Sequence, residues 1–168
     1  SPAATDDMRL MYRRTRGEAF GPQPKLRILM GMYVSAAQYS EQYYMRALKV
    51  RSLIRRDFDT IFDPKGQYRL DALLTPTTPT PAFEMDAVYG DSVMMQYADQ
   101  LTVPANHAGV PAISFPGGVS ASGLPLGIQL IGPDFSEGHL LTLANSYEQA
   151  TLMEPWRKLH PAVLDQSV

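Results

Sequence analysis

The fold is decided by residues 99–132, which read DQLTVPANHAGVPAISFPGGVSASGLPLGIQLIG. The stretch begins with a helix-like segment that a sharp Gly-Val-Pro corner ends. Two short apolar runs follow, 112–116 and 126–131, and each lies between Gly and Pro residues, a pattern typical of buried strands. The link 117–123 is rich in Gly and Ser and can turn freely. The stretch therefore predicts a corner and two adjacent strands.

Within the second run, side chains are expected to alternate between the two faces of a sheet. One face is predicted to carry Leu126, Ile128 and Leu130, and the other Gly127, Gln129 and Ile131. Because Gly127 has no side chain, we expect a neighbour to approach closely there.

The flanking sequence predicts helices and one further strand. Thr5, Asp6 and Asp7 are candidate caps of a first helix, and Pro24 suits the first turn of a second. Apolar residues at helical spacing predict a long helix over about 37–62, and Ser136 is a candidate cap of a final helix. Residues 71–75 are a predicted buried strand, and the Thr/Pro-rich run 75–81 is interpreted as a rigid loop at its end, with a polyproline linker as the alternative. Helices with intervening apolar strands indicate an α/β fold.

Composition excludes several classes of site. The 168 residues are 45% hydrophobic with a net charge of −2 and contain no cysteine, which rules out a thiolate nucleophile, a disulfide framework and a Cys-ligated zinc. The three histidines have no metal-like spacing, so we predict no metal site. No apolar run approaches the ~20 residues of a membrane-spanning helix, so no membrane partner is expected.

Charge is uneven along the chain. Eleven of the 15 Lys and Arg residues, but only four of the 17 acids, lie within residues 1–56. A basic first third is compatible with RNA phosphate contact, but solvated outer faces of helices explain the pattern more simply. We favour the second interpretation because no aromatic stacking platform separates the basic residues.

A family resemblance rests on two motifs. Asn106-x-x-Gly109-x-Pro111, followed by Gly-Leu-Pro-x-Gly127-x-Gln129-x-Ile-Gly132, resembles the C-terminal part of amidase-signature enzymes. Within that family, the chain is most similar to the A subunits of aspartyl/glutamyl-tRNA amidotransferases, from about residue 10 to about residue 150. The resemblance implies that residues 1–168 form one partial domain with an α/β fold, a mixed sheet flanked by helices.

The resemblance also implies a pair of substrate-binding residues. It aligns Arg27, in PKLRILMG, with the arginine that binds the α-carboxylate of glutamine, and Asp99, in YADQLTVPAN, with the aspartate that binds the α-ammonium. A free amino acid is zwitterionic, so its recognition needs a cation and an anion, and Arg offers a planar fork to a carboxylate. Their charged groups are then expected within about 10 Å of each other. On the sequence alone, an ordinary surface charge for Arg27 and a helix cap for Asp99 are the favoured interpretation, and the family alignment reverses this preference.

No catalytic residue is assigned in this chain. The family uses a Lys–Ser–Ser triad from an earlier part of the polypeptide, and Ser114, Ser120 and Ser122 have no neighbouring base that would make them nucleophilic. The resemblance implies that the complete protein releases ammonia from glutamine. A partner, the B subunit, would use this ammonia, with ATP and Mg²⁺, on misacylated Glu-tRNA(Gln) or Asp-tRNA(Asn), and a small C subunit would complete the complex. The isolated chain is predicted to be inactive, and the complex to be cytoplasmic, or organellar in a eukaryote.

Two other functions remain open at this stage. The chain could belong to a stand-alone amidase of the same superfamily that acts on a small amide, or be a non-catalytic scaffold. A simple amide has no need of both Arg27 and Asp99, so the pair discriminates between an amidase of this kind and a glutamine-dependent enzyme.

Overall fold

The computed structural model of the chain describes residues 7–84, 87 and 92–159. It divides into two compact units, Ser1–Val50 and Arg51–Val168. The prediction of a single partial domain over residues 1–168 stays a prediction. In chain order the elements are α1 (Met8–Ala19), α2 (Pro22–Ser35), a π-helical turn (Glu41–Met45), α3 (Arg46–Phe62), β1 (Leu73–Pro76), α4 (Ser92–Tyr97), α5 (Val103–Ala108), β2 (Ala112–Val119), β3 (Pro125–Ile131), α6 (Glu137–Ala150) and a 3-10 turn (Pro155–Lys158).

The first unit consists of helices whose ends follow local chemistry. Asp7 caps α1, and its carboxylate accepts hydrogen bonds from the backbone N–H groups of Arg9 and Leu10 at 2.9 and 3.4 Å. The other two predicted caps lie outside the described residues. Helix α2 ends at Ser35, whose hydroxyl donates to the carbonyl of Gly31 at 2.7 Å, a back-bond that slightly destabilises a helix.

The long helix predicted over about 37–62 begins later than expected. Residues 37–40 form turns, the next five residues form the π-helical turn, and regular α-helix runs only from Arg46 to Phe62. The spacing of apolar residues predicted a continuous helix because α-helical and π-helical turns present side chains at similar intervals. The same spacing does not indicate the extra residue that a π-helical turn accommodates.

The second unit contains a three-stranded antiparallel sheet in the order β1-β3-β2. The predicted hairpin of 112–116 and 126–131 is confirmed, since β2 and β3 pair from Ala112–Ile131 to Val119–Pro125. The register shifts between Pro116 and Gly118, where a bulge forms. On its other side β3 pairs with the strand predicted at 71–75, which the structure places at Leu73–Pro76.

Helices cover the two faces of this sheet. On one face, Ile131 joins a core with Phe58 and Phe62 of α3 and with two alanines of α5, Ala105 and Ala108. On the other, the ring of Phe115 in β2 packs 5.5 Å from that of Tyr147 in α6. A layer of helices on each face confirms the predicted α/β class. In the described part of the chain, no helix has the length and apolar character needed to cross a membrane.

Ser136 occupies the N-cap position of α6, as predicted, but its side chain does not cap the helix. Its hydroxyl makes no cap hydrogen bond and is buried without a partner among the described residues. Its backbone, at φ −91° and ψ 13°, lies outside the extended conformation usual for a capping residue. The hydroxyl instead faces Gly132, where the absence of a side chain leaves room for it.

Candidate functional site

Four polar side chains lie together where β1 ends against β3 and β2. Thr75, Gln129 and Ser114 are cross-strand partners, so their side chains share one face of the sheet. Thr77, just after β1, joins them through a hydrogen bond of 2.7 Å between its hydroxyl and that of Ser114. We call these four residues the polar row.

Gly127 makes this arrangement possible. The backbone N–H of Thr77 donates to the carbonyl of Gly127 at 2.9 Å, so the chain continues its pairing beyond Pro76. A Cβ at Gly127 would lie 3.0 Å from the hydroxyl oxygen of Thr77 and 3.6 Å from that of Ser114. The close approach expected at this glycine is therefore confirmed.

Gln129 is the central member of the polar row. It is 3% exposed, and it is the one buried polar residue in the part of the chain whose side chains the structure describes. Its Nε2 donates to the hydroxyl of Thr75 at 3.0 Å and to the carbonyls of Pro76 and Leu101 at 3.3 and 2.8 Å. The side chain thus connects the end of β1 to the turn that precedes α5.

Asp99 lies in that turn. Its backbone carbonyl accepts from the N–H groups of Thr102 and Val103 at 3.0 and 2.9 Å, and from the hydroxyl of Thr102 at 3.1 Å. The residue is exposed, and among the described residues its carboxylate has no hydrogen-bond or ion-pair partner. The backbone of Asp99 is therefore braced while its charge stays available to a ligand.

An apolar cavity of about 520 Å³ lies beside this turn. Ala98 and Gln100, the two neighbours of Asp99, line it together with residues of the Thr/Pro-rich loop and of α4. The interpretation of residues 75–81 as a loop at a strand end is confirmed, because Pro76 ends β1 and the following prolines form one wall of the cavity.

Arg27 lies in α2, in the first compact unit of the chain. It is exposed, and its guanidinium has no partner among the described residues. Asp99 belongs to the second unit, and the pairing of the two residues stays a prediction.

Sequence reasoning missed an arginine clamp formed by Arg51 and Arg55 on α3. Arg51 Nε donates to the carbonyl of His107 at 2.7 Å, and Arg55 Nη1 donates to the carbonyl of Ala108 at 3.3 Å. These are carbonyls at the C-terminal end of α5, which lack partners within the helix and favour cations. The clamp holds the corner at Gly109, whose φ of 75° suits glycine.

Arg55 also binds two carboxylates. It forms a bidentate pair with Asp134, at 3.0 and 2.6 Å, and an i,i+4 pair with Asp59 at 2.8 Å. The hydrogen bonds from Arg55 lower the pKa of Asp134, and those to Asp134 and Asp59 raise the pKa of Arg55. No pattern in the sequence predicts this network, because Asp134 lies 79 residues from Arg55 along the chain.

The other chemistry-bearing residues do not form a catalytic group. The hydroxyl of Ser114 contacts only that of Thr77, and those of Ser120 and Ser122 contact each other at 2.8 Å, with no base bound to any of them in the described structure. Within that same part of the chain, no three His, Asp or Glu side chains come together as metal ligands.

Comparison with known proteins identifies the family of this chain. The amidase family model matches residues 2–141. The chain belongs to the amidase family. The amidase relatives include the Glutamyl-tRNA(Gln) amidotransferase A subunit of Thermodesulfovibrio yellowstonii, which is 44% identical over 92% of the chain, and that of Xanthobacter autotrophicus, 50% identical over 83%.

Solved structures agree with this assignment. The Glutamyl-tRNA(Gln) amidotransferase A subunit of Thermotoga maritima matches 84% of this chain with a TM-score of 0.60 and 35% identity. A crystal structure described as an amidase also matches 84% of it, with a TM-score of 0.62 and 25% identity. This amidase-family chain spans about 30% of the length of the curated relatives it matches.

Proposed function

We propose that the chain is the glutamine-recognising part of the glutaminase subunit of a tRNA-dependent amidotransferase. The observation that carries the proposal is its 44–50% identity, over most of its length, to relatives named as the A subunit of Glutamyl-tRNA(Gln) amidotransferase. Among solved structures, the amidotransferase A subunit is 35% identical and the amidase 25%, which favours the glutamine-dependent enzyme over a simple amidase.

In this proposal Arg27 and Asp99 select free glutamine by its two charges. The guanidinium of Arg27 binds the α-carboxylate through two parallel hydrogen bonds, and the Asp99 carboxylate binds the α-ammonium. The braced turn supports the second role, since a fixed backbone keeps the exposed carboxylate in place at little entropic cost on binding. The nucleophile belongs to another part of the same polypeptide.

The remaining steps belong to partners of the glutaminase. Ammonia released from glutamine passes to the B subunit, which uses ATP and Mg²⁺ to amidate Glu-tRNA(Gln) or Asp-tRNA(Asn). A small C subunit completes the complex, which works in the cytoplasm or in a eukaryotic organelle. The similarity to proteins named as amidotransferase A subunits supports this assignment.

The test compares two nitrogen sources in the complete amidotransferase, with all of its subunits present. Arg27→Ala removes charge-assisted bonds worth about 1.5–3 kcal/mol, so the glutamine KM should rise about 10- to 150-fold. Asp99→Asn keeps the shape but removes the countercharge, and should also raise that KM. Amidation driven by added ammonia should stay largely intact, because ammonia bypasses the glutaminase site.

Two exposed residues provide matched controls. Arg13→Ala and Asp57→Asn make the same chemical changes on helix surfaces and should leave both activities unchanged. If Arg27→Ala and Asp99→Asn reduce ammonia-dependent amidation as severely as glutamine-dependent amidation, the two residues are structural and the proposed function fails.

The isolated 168-residue chain should release no ammonia from glutamine. Its hydroxyls lack a positioned base in the described residues, and recognition of a substrate does not replace a nucleophile. Ammonia release is measured with the purified chain against a mock purification. Release above that background would show that the chain carries its own nucleophile.

A further inference from the structure

Gln129 carries a buried amide on the same face of the sheet as the apolar core residue Ile131. It is 3% exposed, and Ile131, two residues further along that face, is also 3% exposed. Burying an amide is costly unless its hydrogen bonds are made. The three hydrogen bonds of the Gln129 Nε2 offset this cost.

The hydrogen bonds fix the orientation of this amide. The carbonyls of Pro76 and Leu101 can only accept, so the amide nitrogen must face them. The Thr75 hydroxyl donates to the Pro76 carbonyl at 3.0 Å and thus accepts from Gln129. One amide hydrogen is then donated to acceptors at the end of β1, and the other to the carbonyl of Leu101, in the turn that contains Asp99.

This second bond fixes the Asp99 turn to the sheet. Leu101 lies two residues after Asp99, and the intervening backbone is closed by the bonds from Thr102 and Val103 to the Asp99 carbonyl. If the turn moves as a unit away from the sheet by an ångström or more, the bond of 2.8 Å between Gln129 Nε2 and the Leu101 carbonyl is stretched beyond hydrogen-bonding distance. The position of the carboxylate is thereby coupled to the central strand.

We propose that Gln129 is a positioning residue that holds the Asp99 carboxylate in place for the α-ammonium of glutamine, by binding the Leu101 carbonyl. The proposal rests on the proposed function of Asp99. It adds that substrate selection depends on a buried amide that does not touch the substrate. An amide acting in this way affects the ammonium contact and no other part of catalysis.

The test uses two amide substrates in the complete amidotransferase: glutamine, and glutaramate, which lacks the α-ammonium. Gln129→Met keeps the length and bulk of the side chain but removes both donors. It should raise the glutamine KM about 2- to 10-fold, the range of one neutral hydrogen bond, and leave the glutaramate KM and ammonia-dependent amidation unchanged. Gln149→Met, on the exposed side of α6, is the matched control and should alter none of them.

A purely structural amide would behave differently. If Gln129→Met raises the KM of both substrates equally, or of neither, Gln129 does not act through Asp99 and the inference is overturned. Should this variant fail to fold, Thr75→Val removes one acceptor of the same amide and should give a smaller rise with the same selectivity for glutamine. If Thr75→Val raises the KM of glutamine and of glutaramate equally, the inference is overturned as well.

The design separates this inference from the function on which it rests. If Asp99→Asn raises the glutamine KM while Gln129→Met does not, only the positioning role fails. If Asp99→Asn leaves the glutamine KM unchanged, the proposed function fails and the positioning role with it. In the Asp99→Asn background, Gln129→Met should have almost no further effect on the glutamine KM, since the contact it positions is already lost.

Discussion

At the scale of single residues, Arg55 joins three segments of the second unit. Its guanidinium binds Asp59 on its own helix, the Ala108 carbonyl at the end of α5, and Asp134 just after β3. The bidentate geometry with Asp134 makes this contact more specific than an ordinary surface ion pair. One side chain therefore fixes the end of α5 and the segment after β3 to α3.

The pair of Arg55 and Asp134 predicts a pH dependence of stability. Since Arg55 lowers the pKa of Asp134 in the folded chain, the pair contributes stability above the ordinary pKa of an aspartate, about 4. This contribution is lost as the pH falls through the lower, folded pKa. We expect Asp134→Asn to reduce stability at pH 7 and to flatten the acid side of the stability curve below pH ~4.

The measurement is the denaturant midpoint of unfolding at a series of pH values between about 2 and 7. Asp57→Asn is the control, because Asp57 is an exposed aspartate on the same helix as Arg55 and has no ion-pair partner among the described residues. If the denaturant midpoints of Asp134→Asn and of the unsubstituted chain fall in parallel as the pH is lowered, the pair of Arg55 and Asp134 contributes no stability.

At the scale of elements, the sheet was predictable because its signals are local. Gly and Pro mark both ends of 112–116 and 126–131, and the residues between them are apolar, so the hairpin and the alternation along β3 follow from the sequence. Helix ends were less predictable. The π-helical turn before Arg46 and the uncapped Ser136 depend on contacts that residue type does not specify.

The tight approach of β1 and β3 predicts an unusual effect of alanine. Gly127→Ala would place a methyl group 3.0 and 3.2 Å from two side-chain atoms of Thr77, so Thr77 must give way by a few tenths of an ångström. Overpacking of this kind costs about 1–3 kcal/mol, although alanine in an unconstrained strand would be preferred to glycine.

Gly138→Ala provides the matched control, because nothing lies within 4 Å of a Cβ built at Gly138 in α6. Alanine there should be neutral or slightly stabilising. The free energy of unfolding of the two variants is compared by denaturant titration. A Gly127→Ala variant as stable as Gly138→Ala would mean that Thr77 moves aside freely and that the polar row is loosely held.

At the scale of the whole molecule, contacts distant in sequence were not predictable. Gln129 binds partners 54 and 28 residues away, and Arg51 binds one 56 residues away. Periodicity and capping rules describe neighbours along the chain, and they contain no information on which turn a buried amide will reach. The candidate pair Arg27 and Asp99 came from the family resemblance, and the hydrogen bonds that brace Asp99 came only from the structure.

We propose that Arg27 and Asp99 recognise the two opposite charges that free glutamine carries at its α-carbon. The most direct measurement compares the KM of three amides in the assembled enzyme: glutamine, glutaramate, which lacks the α-ammonium, and glutamine blocked as an amide at its α-carboxylate. Arg27→Ala should remove the difference in KM between glutamine and the carboxylate-blocked substrate, and should leave the difference between glutamine and glutaramate in place. Asp99→Asn should do the reverse. If each variant instead raises the KM of all three substrates by the same factor, neither residue binds a charged group of glutamine and the account is contradicted.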